Sequence, residues 1–316
     1  MSRVLVTRHM PAGGLAPLDG HELVTRGDDV AFTRDELRAA VADVDAVVCP
    51  LTDRIDGEVI DSGRRLRAIG NVAVGVDNID VEAATGAGVV VCNTPGVLDE
   101  TTADLAFALL LAAARRMSEA EADLRAGRWH GWGVTQYLGH DVHVATMGLV
   151  GYGRIGRAVA RRAAGFGMRV LHHARRDIGE RGYVAELGEL LEAADVVSLH
   201  VPLTDDTRHL IGAPELARMK PTAVLVNTSR GPVVDEGALA DALTQGRIFA
   251  AGLDVYEREP LVHPRLRTAP RTVLLPHVGS ATVATRTRMA RTAAEGVRAV
   301  LAGERPANLC NPEALL

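Results

Sequence analysis

Three polar segments in the second half of the chain carry side chains that could act together on a small organic acid. Each segment follows an apolar, strand-like run, and in chain order they contain Arg230, Glu259 and His277. A guanidinium binds a carboxylate and polarises a carbonyl, an imidazole gives or takes a proton, and a neighbouring carboxylate favours the protonated imidazole. A histidine at a strand end is usually structural when it stands alone. The three side chains together indicate reduction of a 2-keto acid, or oxidation of a 2-hydroxy acid.

A glycine-rich turn upstream of these segments is typical of dinucleotide binding. The sequence Gly-Tyr-Gly-Arg-Ile-Gly at 151–156 lies between an apolar strand-like run and a helical segment. Gly151 permits a tight turn, Gly153 lets the backbone approach a pyrophosphate, and Gly156 lets the helix pack closely on the strand. The helix N-terminus attracts the negative charge of the pyrophosphate. We predict a nicotinamide dinucleotide as the cofactor and no metal ion at the site.

The end of the following strand indicates which nicotinamide cofactor is preferred. Dinucleotide folds that select NAD(H) carry an acid roughly 20 residues beyond the glycine motif, where it holds the ribose hydroxyls. This chain has Ala174 there, followed by Arg175 and Arg176. No carboxylate repels a 2′-phosphate, and a guanidinium pairs bidentately with one. We predict NADP(H) as the preferred cofactor, with NAD(H) as the alternative if Arg175 only stacks on the adenine.

Alternating strand and helix patterns surround these segments. Strand-like runs at 3–7, 46–50, near 67 and at 89–94 form a first set, and a second set of six begins at Met147. Helical segments separate most of them, and one opens with the capping box Thr33-Arg34-Asp35-Glu36. This rhythm predicts an α/β fold with two Rossmann-like, doubly wound domains and a ligand cleft between them.

Three further segments complete the organisation. Apolar residues fill nearly the whole circumference of a predicted helix at 101–116, which indicates a helix buried on most sides and a natural hinge. The segment 117–141 is polar, carries Trp129 and Trp132, and breaks the strand-helix rhythm, so we expect it to form an arm. A last helix at 281–302 follows the second set, and we expect it to cross back to the first domain.

Composition excludes several other classes of protein. The net charge is −5 and no basic run is interleaved with aromatic residues, which argues against a nucleic-acid partner. The longest apolar run, 105–114, is shorter than the ~20 residues of a membrane span, and the N-terminus lacks a signal-peptide pattern, so we expect a cytoplasmic protein without a membrane partner. Three scattered cysteines at Cys49, Cys92 and Cys310 form neither a disulfide framework nor a metal motif.

With these motifs the chain resembles the D-2-hydroxyacid dehydrogenase family from about Leu51 to Thr282. The segment Asn-Val-Ala-Val-Gly-Val-Asp-Asn-Ile-Asp at 71–80 looks like the substrate loop of that family. The resemblance implies that the backbone amides of Val74 and Gly75 hold the substrate carboxylate. The segment Thr-Thr-Ala-Asp-Leu at 101–105 looks like the start of the interdomain helix, which places Thr102 near the cofactor.

The resemblance also implies roles for other residues and for whole segments. The catalytic roles go to Arg230, Glu259 and His277, with Glu257 as the competing acid in the same motif. Contacts with the cofactor are implied for Arg154, Ile155, Val201, Pro202, Thr207, Thr228, Ser229 and Asp254. A discontinuous, flavodoxin-like substrate domain at 1–98 and 286–316 would accompany a nucleotide-binding domain at 99–285. The segment at about 117–146 would be the arm through which the chain forms a homodimer.

Within the family, the chain looks most similar to the glyoxylate/hydroxypyruvate reductases, because of its Ala-Arg-Arg strand end and its two tryptophans. That likeness implies that Trp132 caps the site of a neighbouring subunit, although it could equally pack at the dimer interface. We expect Leu51, Val74 and Trp132 to shape the substrate pocket. A D-3-phosphoglycerate dehydrogenase, with Arg54 near the phosphate, and a cofactor-sensing protein related to transcriptional corepressors are the alternatives.

Overall fold

Strands and helices alternate along the computed structural model, which describes residues 1–315, and they form two parallel sheets. The chain divides into a unit of Met1–Leu98 with Ser280–Leu316 and a unit of Asp99–Gly279. Both units have the α/β architecture that the sequence predicts, which confirms the fold class. The cleft between two domains stays a prediction from sequence.

The first unit is built on a five-stranded parallel sheet in the order β2-β1-β3-β4-β5. Apolar side chains from both faces of this sheet form two cores, one around Ile69 and one around Val48. A short 3-10 turn, Ala16–Leu18, precedes β2. The elements are β1 Arg3–Val6, β2 Glu22–Thr25, α1 Arg34–Val41, β3 Ala46–Pro50, α2 Gly57–Ser62, β4 Ala68–Val72, α3 Val81–Gly86 and β5 Val90–Cys92.

Two local features of this unit show where sequence patterns succeed and fail. The predicted capping box is confirmed, because Thr33 Oγ1 accepts from the Glu36 amide and the Glu36 carboxylate accepts from the Thr33 amide. Strand β2 is missing from the sequence-based prediction. It is an edge strand that pairs only with β1, and most of its residues are exposed, so it lacks the apolar run of the central strands.

The second unit is built on a six-stranded parallel sheet in the order β11-β10-β9-β8-β6-β7. The six strands of the second predicted set are therefore all present, and cores on both faces cover the sheet. The chain runs from β6 outward to β7 and then to β8 on the other side of β6. The elements are α4 Asp99–Ala114, α5 Met117–Arg125, β6 Thr146–Val150, α6 Arg154–Gly165, β7 Arg169–His173, α7 Leu187–Ala193, β8 Val196–Leu199, α8 Ala213–Arg218, β9 Val224–Asn227, α9 Glu236–Thr244, β10 Ala250–Leu253, α10 Pro264–Thr268 and β11 Thr272–Leu274, with 3-10 turns at Asp205–Thr207 and Gly231–Val233.

Helix α4 is the apolar helix that the sequence predicts at 101–116. Leu109 and Leu110 are buried, whereas Asp104 and Ala108 are exposed, so the burial leaves one narrow side open. The helix packs closely on β10, because a Cβ placed on Gly252 would lie 2.9 Å from the Cβ of Leu109. Only a glycine allows the two backbones to approach this far.

The last helix, α11, spans Val283–Leu301 and belongs to the first unit. Its residues Ala294, Val297 and Val300 join the core around Val48. The last helix of the chain therefore packs within the first unit. A 3-10 turn, Pro312–Leu315, follows. None of the helices within residues 1–315 combines the length and the apolar character that a bilayer crossing requires.

Candidate active site

Arg230, Glu259 and His277 follow three neighbouring strands of the second unit. Arg230 follows β9, Glu259 follows β10 and His277 follows β11, and these strands are hydrogen-bonded in the order β11-β10-β9. The carboxyl ends of parallel strands meet at one edge of the sheet, which is where open α/β sheets bind ligands. The structure therefore brings the three predicted residues to the same edge.

The imidazole and the carboxylate are in direct contact. His277 Nδ1 donates to Glu259 Oε2 over 2.8 Å, and the amide of Tyr256 donates to Glu259 Oε1 over 3.0 Å. The side chains of His277 and Glu259 are 26% and 28% exposed, so the pair is accessible to a ligand yet partly desolvated. The bond at Nδ1 fixes the orientation of the ring and leaves Nε2 as the nitrogen that exchanges a proton with a ligand.

The charge of Glu259 is stabilised by its neighbours. Burial alone would raise the pKa of Glu259, but the hydrogen bond and the charge of His277, the amide of Tyr256 and the charge of Arg230 outweigh it. The pKa of Glu259 is therefore lowered. An ionised Glu259 near neutral pH is the state that accepts the hydrogen bond donated by Nδ1 of His277.

The competing acid, Glu257, is engaged elsewhere. Its Oε1 accepts from the amide of Glu236, and its Oε2 lies 3.2 Å from Nε2 of His209. The amide of Glu257 in turn donates to Glu236 over 2.7 Å. Of the two acids in this motif, Glu259 is thus the one that contacts His277.

Sequence reasoning missed the residues that hold the Arg230 loop. Buried Asn227, the last residue of β9, accepts from the amide and the hydroxyl of Ser229, and its Nδ2 donates to the carbonyl of Arg230 over 3.0 Å. A Cβ placed on Gly231 would lie 1.8 Å from the carbonyl carbon of Tyr256. The backbone after Arg230 therefore packs directly on the segment that precedes Glu259. Asn227 and Gly231, which flank the Thr-Ser-Arg segment, are the signals of this arrangement in the sequence.

Asp254 anchors the loop that carries His277. Its two carboxylate oxygens accept from the amides of Val278 and Gly279, each over 2.7 Å, and the amide of His277 donates to its carbonyl. His277 has a φ of 55°, in the left-handed region that non-glycine residues rarely adopt. Burial raises the pKa of Asp254 more than these amides and the His277 charge lower it. The carboxylate thus holds a strained loop in place.

The glycine motif has the shape that a dinucleotide requires. Gly151 has a φ of 94°, and a Cβ on it would lie 2.6 Å from the backbone of His200. A Cβ on Gly156 would lie 2.4 Å from the carbonyl oxygen of Gly151. A Cβ on Gly153 would meet no atom of residues 1–315 within 4 Å. Two glycines thus allow tight packing, and the third leaves open space at the N-terminus of α6, so these residues fit a pyrophosphate.

The loop after β8 borders this motif. Strands β6 and β8 are neighbours in the sheet. From β6 the chain continues to β7 on one side, and from β8 it continues to β9 on the other side, so the strand order reverses between them. Nucleotides bind at such points of reversal. Thr207 Oγ1 donates to the carbonyl of Pro202 over 2.7 Å, which folds the loop that begins at Val201. Desolvation lowers the pKa of the adjacent His200 to about 4.

The remaining predicted cofactor residues of the second unit lie at the same ends of the strands. Buried Thr228 follows β9, and its hydroxyl has no hydrogen-bond partner among the described residues. Thr102 is buried near the start of α4, with its hydroxyl 3.6 Å from the position of a Cβ on Gly279. Four others, spread over the start of α6 and the end of β7, are the exposed Arg154, Arg175 and Arg176 and the half-buried Ile155.

The predicted substrate residues have different environments. Val74 and Gly75 lie in a half-buried loop after β4, and half-buried Leu51 follows β3, all in the first unit. Trp132 belongs to the second unit, in the segment after α5, and is 83% exposed. Nearby Val134 is 74% exposed and Trp129 is 50% exposed, so this segment presents apolar side chains that are uncovered in a single chain.

Comparisons with known proteins agree with this arrangement. A sequence profile described as "D-isomer specific 2-hydroxyacid dehydrogenase, NAD binding domain" matches residues 107–279. The glyoxylate reductase of Korarchaeum cryptofilum is 51% identical over 98% of this chain and 96% of its own length. The glyoxylate reductase of Thermococcus gammatolerans is 48% identical over the same shares of the two chains.

Solved structures show the same likeness. The TT0316 protein of Thermus thermophilus is 47% identical, with a TM-score of 0.92 over 97% of this chain and 99% of its own. An NADPH-dependent glyoxylate/hydroxypyruvate reductase from Sinorhizobium meliloti, solved with NADP and malonate, is 35% identical, with a TM-score of 0.86 over 100% and 98% of the two chains. The family that the motifs predict is thereby confirmed. The chain belongs to the D-isomer specific 2-hydroxyacid dehydrogenases, and it is an NAD(P)-dependent oxidoreductase.

Proposed function

We propose that the chain reduces glyoxylate or hydroxypyruvate to the corresponding hydroxy acid, of the D configuration where one exists, with His277 as the proton donor. The 2.8 Å bond between His277 and Glu259, at the same sheet edge as Arg230, is the observation that carries this proposal. A cation, a proton donor and an anion that supports the donor are what reduction of a 2-keto acid requires. The names of the relatives support the choice of substrate.

The side chains divide the reaction between them. Arg230 binds the substrate carboxylate and polarises the carbonyl. A bound dihydronicotinamide supplies the hydride that the carbonyl carbon accepts. His277 then gives the proton at Nε2 to the carbonyl oxygen, so that the C=O double bond becomes a C–O single bond while a C–H and an O–H bond form. Glu259 accepts the hydrogen bond from Nδ1 of His277 throughout the reaction, and it stabilises the charged ring before the proton is transferred.

The cofactor in this proposal is NADP(H), with NAD(H) as a weaker alternative. Gly151, Gly153 and Gly156 would receive the pyrophosphate. Exposed Arg175 and Arg176 follow Ala174 at the end of β7, where an acid would hold the ribose of NAD(H). Their guanidinium groups would pair with the 2′-phosphate. The other contacts are those that the family likeness implies, from Thr102, Arg154, Ile155, Val201, Pro202, Thr207, Thr228, Ser229 and Asp254.

The two parts of the chain would have separate roles. Residues 1–98 and 286–316 would bind the substrate, with the amides of Val74 and Gly75 on its carboxylate and Leu51 beside its other end. Residues 99–285 would bind the nucleotide and would also supply Arg230, Glu259 and His277 for the reaction. The arm at about 117–146 would form a homodimer, because Trp132 and Val134 leave apolar area uncovered. A cytoplasmic location stays a prediction from the sequence.

Neither alternative function is favoured by these observations. A phosphoglycerate dehydrogenase would need cations for a phosphate, and Arg54 is an exposed residue at the end of a turn. A cofactor-sensing protein would not require the His277–Glu259 pair to be accessible. In addition, relatives of this chain at 48–51% identity carry the name glyoxylate reductase.

Steady-state turnover tests the proposal. The full chain is assayed with glyoxylate, hydroxypyruvate and 3-phosphohydroxypyruvate, each with NADPH and NADH. We expect the highest kcat/KM with NADPH and one of the first two acids. His277→Gln should lower kcat at least about 100-fold, because general acid catalysis contributes that much, while the Kd for NADPH stays unchanged. Near wild-type turnover by this variant would rule out His277 as the donor.

A further inference from the structure

The loop after β4 is held by hydrogen bonds to three consecutive carbonyl groups. The amide of Thr94 donates to the carbonyl of Ala73 over 2.9 Å. Asn93 Nδ2 donates to the carbonyl of Val74 over 2.7 Å, and Asn71 Nδ2 donates to the carbonyl of Gly75 over 2.9 Å. All of these residues belong to the first unit. Two of the three donors are side-chain amides, so their identity is set by the sequence.

Holding a carbonyl also aims the N–H of the next residue. In a trans peptide the C=O and the following N–H point in opposite directions, and the peptides of this loop are trans. The bond from Asn93 therefore directs the N–H of Gly75 away from Asn93. In the same way, the bond from Asn71 directs the N–H of Val76 away from Asn71. The side-chain amides of Asn93 and Asn71 therefore each point one backbone N–H group of the loop away from themselves.

The N–H groups of this loop are unpaired within the part of the chain that the structure describes. Among residues 1–315, the amides of Val74, Gly75 and Val76 make no hydrogen bond, although all three residues are half-buried. Backbone N–H groups that are removed from water are normally paired. Unpaired backbone N–H groups can donate to an anionic group such as a carboxylate.

Asn71 connects the loop to the neighbouring turn. It is fully buried, and its Nδ2 donates to Gly75 and to Oδ1 of Asn78. Asn78 Nδ2 donates to the carbonyl of Asp53 over 3.0 Å, in the turn that contains Leu51. An apolar side chain at position 71 would take this donor away from the carbonyl of Gly75 and from Oδ1 of Asn78.

We propose that Asn93 and Asn71 are positioning residues, which orient the amides of Gly75 and Val76, respectively, to bind the carboxylate of the substrate beside the amide of Val74. This inference rests on the proposed function, because that function supplies the carboxylate. It assigns the orientation of the loop to two side chains that act through the backbone and do not touch the substrate. Loss of either bond lets a peptide plane rotate and turns one donor away.

The test compares Asn71→Ala and Asn93→Ala with Asn311→Ala. Asn311 is a matched control, because it is a buried side-chain amide of the same unit that donates to the carbonyl of Val89 over 2.9 Å, away from the loop. For each variant, KM and kcat with glyoxylate, the Kd for NADPH and the Tm are measured. The Kd for oxamate, a 2-keto acid isostere, is measured by calorimetry with NADPH present.

We expect the Asn71 and Asn93 variants to raise KM and the oxamate Kd about 10-fold, which corresponds to one hydrogen bond. Their Kd for NADPH should stay at the wild-type value. The Asn311 variant should lower the Tm and leave KM and the oxamate Kd unchanged. If Asn71→Ala does not fold, the half-buried Asn93 position decides the question.

Unchanged KM and oxamate Kd in Asn93→Ala would overturn the inference, and so would an equal rise in Asn311→Ala. Failure of the proposed function has a different signature, because the wild-type chain would then reduce neither glyoxylate nor hydroxypyruvate. In that case the oxamate Kd of the wild type and the variants still decides whether the two amides orient a carboxylate site. A wild type that also fails to bind oxamate would overturn both.

Discussion

The anchor of the His277 loop gives a sharp test of how the site is positioned. Asp254→Asn keeps the size of the side chain and replaces one carboxylate oxygen with an NH2 group. Because the two oxygens accept from the amides of Val278 and Gly279, one of these N–H groups then faces another donor. The substitution removes one charge-assisted bond without emptying any space.

Two effects on stability oppose each other in this variant. A buried N–H without an acceptor costs about 1–3 kcal/mol. The variant also removes the cost of burying a charge, which is the largest influence on the raised pKa of Asp254. We therefore expect the free energy of unfolding to fall by less than about 2 kcal/mol.

The effect on catalysis should be larger, because nothing offsets it. The left-handed conformation of His277 costs about 1–3 kcal/mol and persists only while its surroundings hold it. Losing a charge-assisted hydrogen bond destabilises the held conformation of the His277 loop by about 2 kcal/mol. At about 1.4 kcal/mol for each factor of ten, the population of the held loop, and with it kcat/KM, should fall by up to about 30-fold.

The assay measures kcat/KM with glyoxylate, the Kd for NADPH and urea unfolding for Asp254→Asn and for Asp195→Asn. Asp195 is the control, because its carboxylate accepts from the amide of Thr146 over 2.8 Å and pairs with Lys220, at the start of β6 rather than at the strand ends. We expect Asp195→Asn to lose stability but keep its kcat/KM. The reasoning is refuted if Asp254→Asn stays within about 3-fold of wild type, or if the two variants lose activity equally.

Three further outcomes are expected. Replacing both Arg175 and Arg176 by Ala should lower kcat/KM with NADPH at least about 10-fold and leave kcat/KM with NADH nearly unchanged, as measured by initial rates, because even one guanidinium bond to a phosphate contributes about 1.5–3 kcal/mol; equal losses with both cofactors would contradict the assignment. The pKa of His200 is lowered to about 4, so its neutral form is favoured in the folded state. The stability that this contributes is full above the unfolded pKa of about 6.5, and it falls by at most about 3 kcal/mol as the pH drops from there to the folded pKa. Urea unfolding at pH 7.5 and 5 should therefore show a smaller drop in the free energy of unfolding for His200→Gln than for wild type. The chain should sediment as a dimer in analytical ultracentrifugation, and the double substitution of Trp132 and Val134 by Ser should weaken the dimer; a monomeric wild type at micromolar concentration would exclude this role for the arm.

Burial on both faces explains why most of the fold could be predicted from sequence. Central parallel strands such as β3 and β8 are apolar runs bounded by polar residues, so their pattern is strong. Strand β2 has neighbours on one side only, and its exposed residues give no such run. Helix α4 was recognised because apolar residues cover most of its surface, although it begins two residues earlier than predicted.

The site was predictable to the extent that chemistry depends on residue type. A glycine motif, an arginine, a glutamate and a histidine each follow a strand, and that order alone places them at one sheet edge. The contacts that hold them depend on which atoms meet in three dimensions. Asn227 could have faced solvent, and nothing in the sequence shows that Asp254 gives both its oxygens to backbone amides.

The contact of Gly231 with the backbone of Tyr256 has a consequence for how the site tolerates motion and change. Main chain lies against main chain there, so no rotamer can widen or narrow the gap between the loop of Arg230 and the loop of Glu259. The spacing between the backbones of these two loops is thereby set by the sheet and not by side-chain rotamers. A substrate of different size would then be accommodated by residues outside these two loops, while the backbones that carry Arg230 and Glu259 keep their spacing.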